Sequence, residues 1–192
     1  MTDSYISELQ KPDPSAVIDL YELELVEGTH YATGNPDNVI TTYCWHSGMT
    51  AAGAGSIQFG SKTYTPMPIE AEGFDQKSGK NDQTARPVLR VSNVLFTVST
   101  ILLEVNKITR GNDLTNAKLT RLRTLAMFLN GESTANSNAM CRKEIFEVDR
   151  KSVENREVVE FELSAISDRP NYKIPKRQVL PRQFPGIGAF HE

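Results

Sequence analysis

The sequence is poor in the residues that usually build reactive centres: its 192 residues include only two cysteines, three histidines and one tryptophan. Two thiols are too few for a disulfide framework or a four-thiolate metal site, so we interpret Cys44 and Cys141 as small, buried or half-buried hydrophobic residues. No apolar run approaches the roughly 20 residues that a membrane helix needs, and no secretory leader begins the chain. We therefore expect a soluble protein made in a cytoplasm.

An excess of positive charge is also missing, since 21 lysines and arginines stand against 24 acids and give a net charge of -3. A dedicated nucleic-acid binder usually has a strongly basic balance, so this class is disfavoured. With 39% hydrophobic and 23% charged residues, the composition is that of an ordinary globular protein. The length allows one core with a short appendage. We expect one domain over residues 1–168, with an N-terminal arm at 1–15, followed by a tail at 169–192.

Alternation of apolar and polar residues predicts several β-strands. In residues 16–26, Tyr21 and Leu23 fall on one face while Glu22 and Glu24 fall on the other, which is the period of a half-buried strand. The other predicted strands span residues 39–45, 57–64 (a hairpin that turns at Gly60 and Ser61), 86–92, 117–129, 141–150 and 156–163.

One helix is predicted from about residue 94 to residue 106. Ser92 and Asn93 supply an N-cap before it. Several strands around one helix predict a mainly β (α+β) fold, a barrel or sandwich that the helix plugs or flanks. The residues at helical spacing that should face the core are Val94, Val98, Ile101, Leu102 and Val105.

The two ends of the chain differ from the domain. Residues 6–14 are polar and close with Pro12 and Pro14, which predicts an extended arm. Residues 169–192 contain four prolines and several cations, and they cannot form a continuous strand or helix. This tail is either a loose terminus or a segment that crosses onto a neighbouring subunit. We favour the crossing segment, because apolar residues able to dock are present at Ile174, Val179, Leu180, Phe184 and Phe190.

Motifs for catalysis or phosphate binding are absent, and we read the Gly-rich run at residues 53–56 as a plain loop. Cys44 and His46 could share a strand face, but no third group is apparent to orient a nucleophilic pair. The other histidines, His30 and His191, lie in a loop and at the penultimate position. The carboxylates show no obvious catalytic pairing along the chain. We predict no catalytic, metal or cofactor residues and no enzymatic activity.

The densest basic patch of the domain is formed by Lys118, Arg121 and Arg123. Three interpretations remain open for it: contact with DNA passing through a channel, pairing with the acids of a neighbouring subunit, or simple solvation. The weakly acidic chain argues against strong DNA affinity, which needs several phosphate contacts.

Several ordered motifs resemble the phage minor tail protein L family. The resemblance runs in register from residue 16 to residue 179, and it includes residues 17–23, 86–93, 117–124 and 161–164. Its central motif consists of Ile57, Phe59, Tyr64, Pro66, Pro68, Ile69, Ala71, Gly73 and Phe74.

This resemblance implies a hub-type β domain related in fold to tail-tube proteins. Such a protein would form a ring, of three copies, at the tail tip of a siphovirus. It would lie between the end of the tail tube and the central receptor-binding or fibre protein, around the path by which DNA is ejected. Its location would then be the virion, and its partners would be other tail-tip proteins and further copies of itself.

One departure from the family concerns cysteine. Lambda-like members carry a C-terminal domain whose cysteines hold an iron–sulfur cluster, and it begins just after a segment like residues 174–179. Residues 180–192 contain no cysteine here, so we predict no cluster and expect the short tail to replace that domain's contacts. Two other functions remain as alternatives: a small hydrolase that uses Cys44 or a carboxylate pair, and a tail-assembly factor absent from the finished particle.

Overall fold

The structure is a computed structural model that describes residues 3–34, 40–47, 55–74, 86–94 and 96–168, together with residues 180 and 184. It is mainly β, as the sequence predicts. The elements in chain order are α1 (Asp3–Leu9), β1 (Val17–Glu24), β2 (Thr42–His46), β3 (Ile57–Phe59), β4 (Lys62–Pro66), β5 (Ile69–Glu72), β6 (Val88–Ser92), α2 (Thr97–Ile108), β7 (Lys118–Leu125), β8 (Glu144–Glu154) and β9 (Val158–Ala165).

Nine strands form one sheet in the order β3-β4-β2-β1-β7-β8-β9-β6-β5. All neighbouring strands are antiparallel except β2 and β4, which are parallel. The predicted hairpin is confirmed, because β3 and β4 pair across a turn in which Gly60 has a φ of 64°. That left-handed conformation suits glycine, which has no Cβ to clash with the backbone.

Residues 62–72 join the two ends of this sheet. In the first half of the segment, β4 pairs with β2, and the Met67 N–H donates a 2.9 Å hydrogen bond to the His46 carbonyl. Two residues later β5 pairs with β6, and the Ser92 N–H donates to the Pro68 carbonyl. Because one short segment holds strands from opposite ends of the order, the sheet must curl back on itself.

One face of helix α2 packs against the curled sheet. Four of the five predicted core positions of this helix are buried, namely Val98, Ile101, Leu102 and Val105. They belong to one hydrophobic cluster with residues of β1, β2, β6, β7, β8 and β9. The opposite face of the helix is exposed to solvent and includes Leu103, which is 65% exposed.

The bounds of α2 differ from the prediction of 94–106. The helix begins at Thr97, and Val94 lies before it with 65% of its surface exposed, so the prediction of Val94 as a core residue is wrong. The cause is a turn in which the Phe96 N–H donates to the Asn93 carbonyl and Phe96 takes a left-handed φ of 54°. The N-cap residue is therefore Phe96, and the prediction of an N-cap at Ser92 and Asn93 is wrong. Asn93 nevertheless contacts the first turn, because its Oδ1 accepts a 3.2 Å hydrogen bond from the Ser99 N–H.

The N-terminal segment is not the predicted extended arm. Residues 3–9 form α1, and Tyr5 is only 2% exposed, since it packs against Leu125, Phe128 and Ala139. A seven-residue helix is marginal in isolation, so this packing is what stabilises it. The tail at 169–192 lies outside the described residues, apart from residues 180 and 184.

The bounds of several strands differ from the prediction, as β7 and β8 illustrate. β7 ends at Leu125, and the prediction of a strand to residue 129 is wrong because a 3-10 turn at Ala126–Phe128 leads the chain away from the sheet. β8 begins at Glu144 rather than at Cys141, which instead donates its backbone N–H to the Arg123 carbonyl of β7.

Only part of the outer face of the sheet is covered. The β3–β4 hairpin packs over β1 and β7 in a second cluster, made of Ile18, Leu20, Ile57, Phe59, Tyr64, Leu122 and Leu129. None of the core clusters of the described residues includes the outward side chains of β5, β6 and β9.

Candidate interaction surfaces

The cations of the predicted basic patch are paired with carboxylates of the same chain. Arg121 is only 8% exposed, and its Nη2 lies 2.8 Å from the Asp19 carboxylate of β1. Its Nη1 lies 3.4 Å from Glu144, and its guanidinium stacks 4.7 Å from the centre of the Phe74 ring. A charge removed from water needs such partners, so Arg121 closes one end of the apolar interior.

The two other cations of the patch have partners as well. Arg123 Nε donates a 2.9 Å hydrogen bond to Asp19, and Lys118 Nζ donates a 2.9 Å hydrogen bond to Glu24. None of the three interpretations drawn from the sequence anticipated acids of the same chain. The opposing strand β1 supplies these carboxylates, since Asp19 faces Arg123 and Glu24 faces Lys118 in the β1–β7 register.

The Cys44 and His46 side chains lie on β2, but their surroundings do not build a nucleophile. Burial, followed by the nearby Glu22 carboxylate, raises the pKa of the Cys44 thiol, which therefore stays protonated near neutral pH. His46 is fully buried, and its Nε2 lies 3.1 Å from the Gly55 carbonyl. Burial also lowers the pKa of His46. A thiolate paired with a base is what a cysteine nucleophile requires, and these contacts favour neither partner in that role.

His30 is a buried structural residue rather than a surface loop residue. Its Nδ1 accepts a 2.8 Å hydrogen bond from the Val26 N–H, so its Nε2 carries the proton that it donates to the Thr115 carbonyl at 3.0 Å. Burial lowers the pKa of His30. The neutral ring thus joins the loop after β1 to the loop before β7. His191 lies outside the described residues.

The hydrogen bonds that hold the β3–β4 hairpin against β1 could not be predicted from the sequence. Glu22 of β1 accepts a 2.5 Å hydrogen bond from the Tyr64 hydroxyl and a 2.7 Å bond from Lys62 Nζ. Burial and the bond to Glu22 raise the pKa of Tyr64. These contacts hold the hairpin against β1 although the residues are about 40 positions apart in the sequence. The alternation of polar and apolar residues in β1 indicated only that Glu22 faces away from Tyr21.

The free edge of β3 is closed by a loop. Asn130 donates its backbone N–H to the Gln58 carbonyl at 3.0 Å, and its side chain exchanges two hydrogen bonds with the backbone of Gly60. An open edge strand is a template for pairing with another chain, so this asparagine limits unwanted association there.

An interior cavity and a surface groove are both lined by described residues. The interior cavity is lined by apolar side chains and has a volume of about 10 Å³, which is at the lower limit for one water molecule. A larger groove of about 430 Å³ opens at the surface. Its walls are formed by Cys141, Arg142, Lys143, Glu144, Ile145, Phe146 and Ala165.

The described residues do not gather into a metal or iron–sulfur site. Among the described residues, no three His, Cys, Asp or Glu side chains come together as a metal site would require. Cys44 packs against the hairpin cluster, and Cys141 packs against the α1 cluster. Two separated thiols do not supply the ligand set of an iron–sulfur cluster.

The uncovered outer face of the sheet carries a network of carboxylates and guanidiniums. Arg90 Nε lies 2.7 Å from Glu160, and its Nη1 lies 3.3 Å from Glu70 and 3.1 Å from Glu72. The hydrogen bond from Arg90 holds the pKa of the Glu160 carboxyl below its usual range. One row further along the sheet, Arg150 makes two 2.9 Å hydrogen bonds to Glu162.

No helix in the described ranges is long and apolar enough to cross a membrane. Comparison with known families gives a match over most of the chain. The model of a family described as phage minor tail protein L matches residues 38–185, which is well over half of the chain. The match includes the hairpin, the segment that joins the sheet ends, helix α2 and the strands β5, β6, β8 and β9. The chain therefore belongs to the phage minor tail protein L family and has a structural role in the tail of a bacteriophage particle.

Proposed function

We propose that this chain is a component of the tail tip, or baseplate hub, of a siphovirus. Three copies form a ring between the end of the tail tube and the central receptor-binding or fibre protein. The ring surrounds the path by which DNA leaves the particle. The observation that carries this proposal is the match to the tail protein L family over residues 38–185.

The architecture supports a hub-type domain related to tail-tube proteins, with residues 1–168 as the domain and 169–192 as a connecting tail. A sheet whose ends are joined by residues 62–72 and whose core is shared with α2 is a rigid block. A rigid block with exposed loops suits a ring whose subunits meet by their side-chain surfaces. At the β3 edge, Asn130 occupies the position that another strand would pair with.

The electrostatics support a wall that DNA passes without binding. The three cations of the densest basic patch are paired with Asp19, Glu24 and Glu144. Unpaired cations would neutralise phosphates and release counterions, which is the main source of nonspecific DNA affinity. A channel wall with its cations already paired would let DNA slide through during ejection.

The proposed role depends on buried interface rather than on chemistry. An obligate ring of this kind should bury on the order of 2,000 Å² or more per interface, with apolar anchors near its centre. Exposed apolar side chains that could serve as anchors occur on α1 at Ile6 and Leu9 and on α2 at Leu103. A non-enzymatic structural function follows from this mode of action.

Mass spectrometry and imaging of purified particles test the proposal. We expect the chain in every infectious particle at a few copies, and we expect three-fold density for it at the tail tip. Finding the chain in lysates but not in purified particles would make it an assembly factor and overturn the proposal. Density along the tube wall, away from the tip, would overturn the placement alone.

A further inference from the structure

The two parts of the sequence carry opposite charge. Residues 169–192 contain five lysines and arginines and one acid, which is a formal charge of +4. Because the whole chain carries -3, residues 1–168 carry -7. Such an asymmetry between a domain and its terminal segment is typical of an interaction tail.

Among the described residues, one face of the sheet carries an excess of acids. We call it the outer face and define it by the outward side chains of β5, β6, β9 and β8 in two rows of the register. One row crosses Glu70, Arg90 and Glu160, and the other crosses Glu72, Val88, Glu162 and Arg150. Four carboxylates and two guanidiniums leave the outer face with a formal charge of -2.

The side chains of the outer face are ordered but still accessible. Glu70 and Glu72 both accept contacts from Arg90, and yet their side chains remain 63% and 56% exposed. Val153, which lies opposite Glu160 in the β8–β9 register, adds an exposed apolar side chain. A segment that contains both cations and apolar residues would pair its cations with these carboxylates and cover the exposed apolar side chain.

The tail contains both cations and apolar residues. Its two described residues are not buried against their own domain. Lys173, Lys176 and Arg177 alternate with Ile174 and Val179 in the sequence. Leu180 and Phe184 are 47% and 42% exposed in the single chain. Exposed leucine and phenylalanine in a terminal segment gain free energy when another surface covers them.

We propose that the basic tail, residues 169–192, of one copy docks on the outer face of the neighbouring copy and so links the subunits of the ring. This inference rests on the ring of the proposed function and names its contact. The groove formed by residues 141–146 and Ala165 is a poorer site for the tail, because Arg142 and Lys143 on its wall would repel the tail's cations.

Charge reversal in the full-length chain tests the contact by analytical ultracentrifugation. The face variant is Glu70→Lys/Glu72→Lys, and the tail variant is Lys176→Glu/Arg177→Glu. Each should weaken self-association at least about tenfold, because like charges placed in contact are unfavourable. The matched control is Asp13→Lys/Glu132→Lys, which makes the same change of charge at exposed acids off the outer face and should associate like the wild type.

Mixing the two variants separates a neighbouring copy from the chain's own domain. The acidic tail of one variant then meets the basic face of the other, so the mixture should associate although each variant alone does not. No association in the mixture, or undiminished association of either variant alone, overturns the docking. Trp45 fluorescence, which reports the folded core, must match the wild type in every variant for the comparison to count.

The two proposals can fail independently. If the variants associate as the wild type does, the tail contact is wrong, while detection of the chain in purified particles still supports the virion role. If the chain is absent from particles but the charge swap restores association, the docking stands and the tail-tip function falls.

Discussion

At the scale of single residues, Arg121 is the charge whose partners matter most. Replacement by methionine, as Arg121→Met, would leave the carboxylate of Glu144 without its cation at the end of the interior. Breaking a buried pair costs about 3–5 kcal/mol, and we expect about 2–3 kcal/mol here because Asp19 keeps its bond to Arg123. Urea unfolding measures this loss. The matched variant Arg123→Met, at a more exposed cation, should cost less than about 1 kcal/mol. Equal losses in the two variants would contradict the special position of Arg121.

His30 gives the stability a pH dependence with a defined sign. Because burial lowers its folded pKa below 6.5, the unfolded chain binds the proton first. The contribution of His30 is therefore fully present above about pH 6.5 and is lost as the pH falls through the lower folded pKa. We expect the free energy of unfolding of the wild type to fall more between pH 7.5 and pH 5.5 than that of His30→Gln. His46, whose pKa is lowered too, is present in both proteins and cancels in the comparison. An identical fall in both proteins would contradict the assignment.

At the scale of elements, the start of α2 depends on Asn93, which is only 1% exposed. Its side chain accepts from the Ser99 N–H and donates to the Ser99 hydroxyl and to the Asn155 carbonyl, so it joins the helix to the β8–β9 turn. We expect Asn93→Ala to cost about 2–3 kcal/mol, because it removes three hydrogen bonds of a buried side chain. Thermal unfolding followed by circular dichroism measures it. Thr100→Ala removes an exposed hydroxyl bond on the same helix and should cost less than about 1 kcal/mol. A loss below about 1 kcal/mol for Asn93→Ala would mean that the Phe96 turn holds the start of the helix without the Asn93 side chain.

At the scale of the whole molecule, the joined sheet and the shared core predict a single cooperative unfolding transition. The largest cluster contains residues from strands of both halves of the sheet together with α2, so the two halves share a core. Trp45 is the only tryptophan and lies in β2, near one end of the strand order. Its fluorescence should therefore report the same urea midpoint as far-ultraviolet circular dichroism, which averages over the strands. Two separated midpoints would show that the β5–β6–β9 side unfolds on its own.

The sequence by itself determined what depends on local order along the chain. Strand alternation, the Gly60 turn and the buried face of α2 follow from the two- and 3.6-residue periods, and the ordered motifs from Ile57 to Phe74 indicated the family. Only the tertiary structure decided which charges meet, since Arg121 and Asp19 are 102 residues apart. It also decided that residues 62–72 join the ends of the sheet, and that a short polar lead becomes α1. These features depend on long-range strand pairing and on packing against distant residues, which no local period encodes.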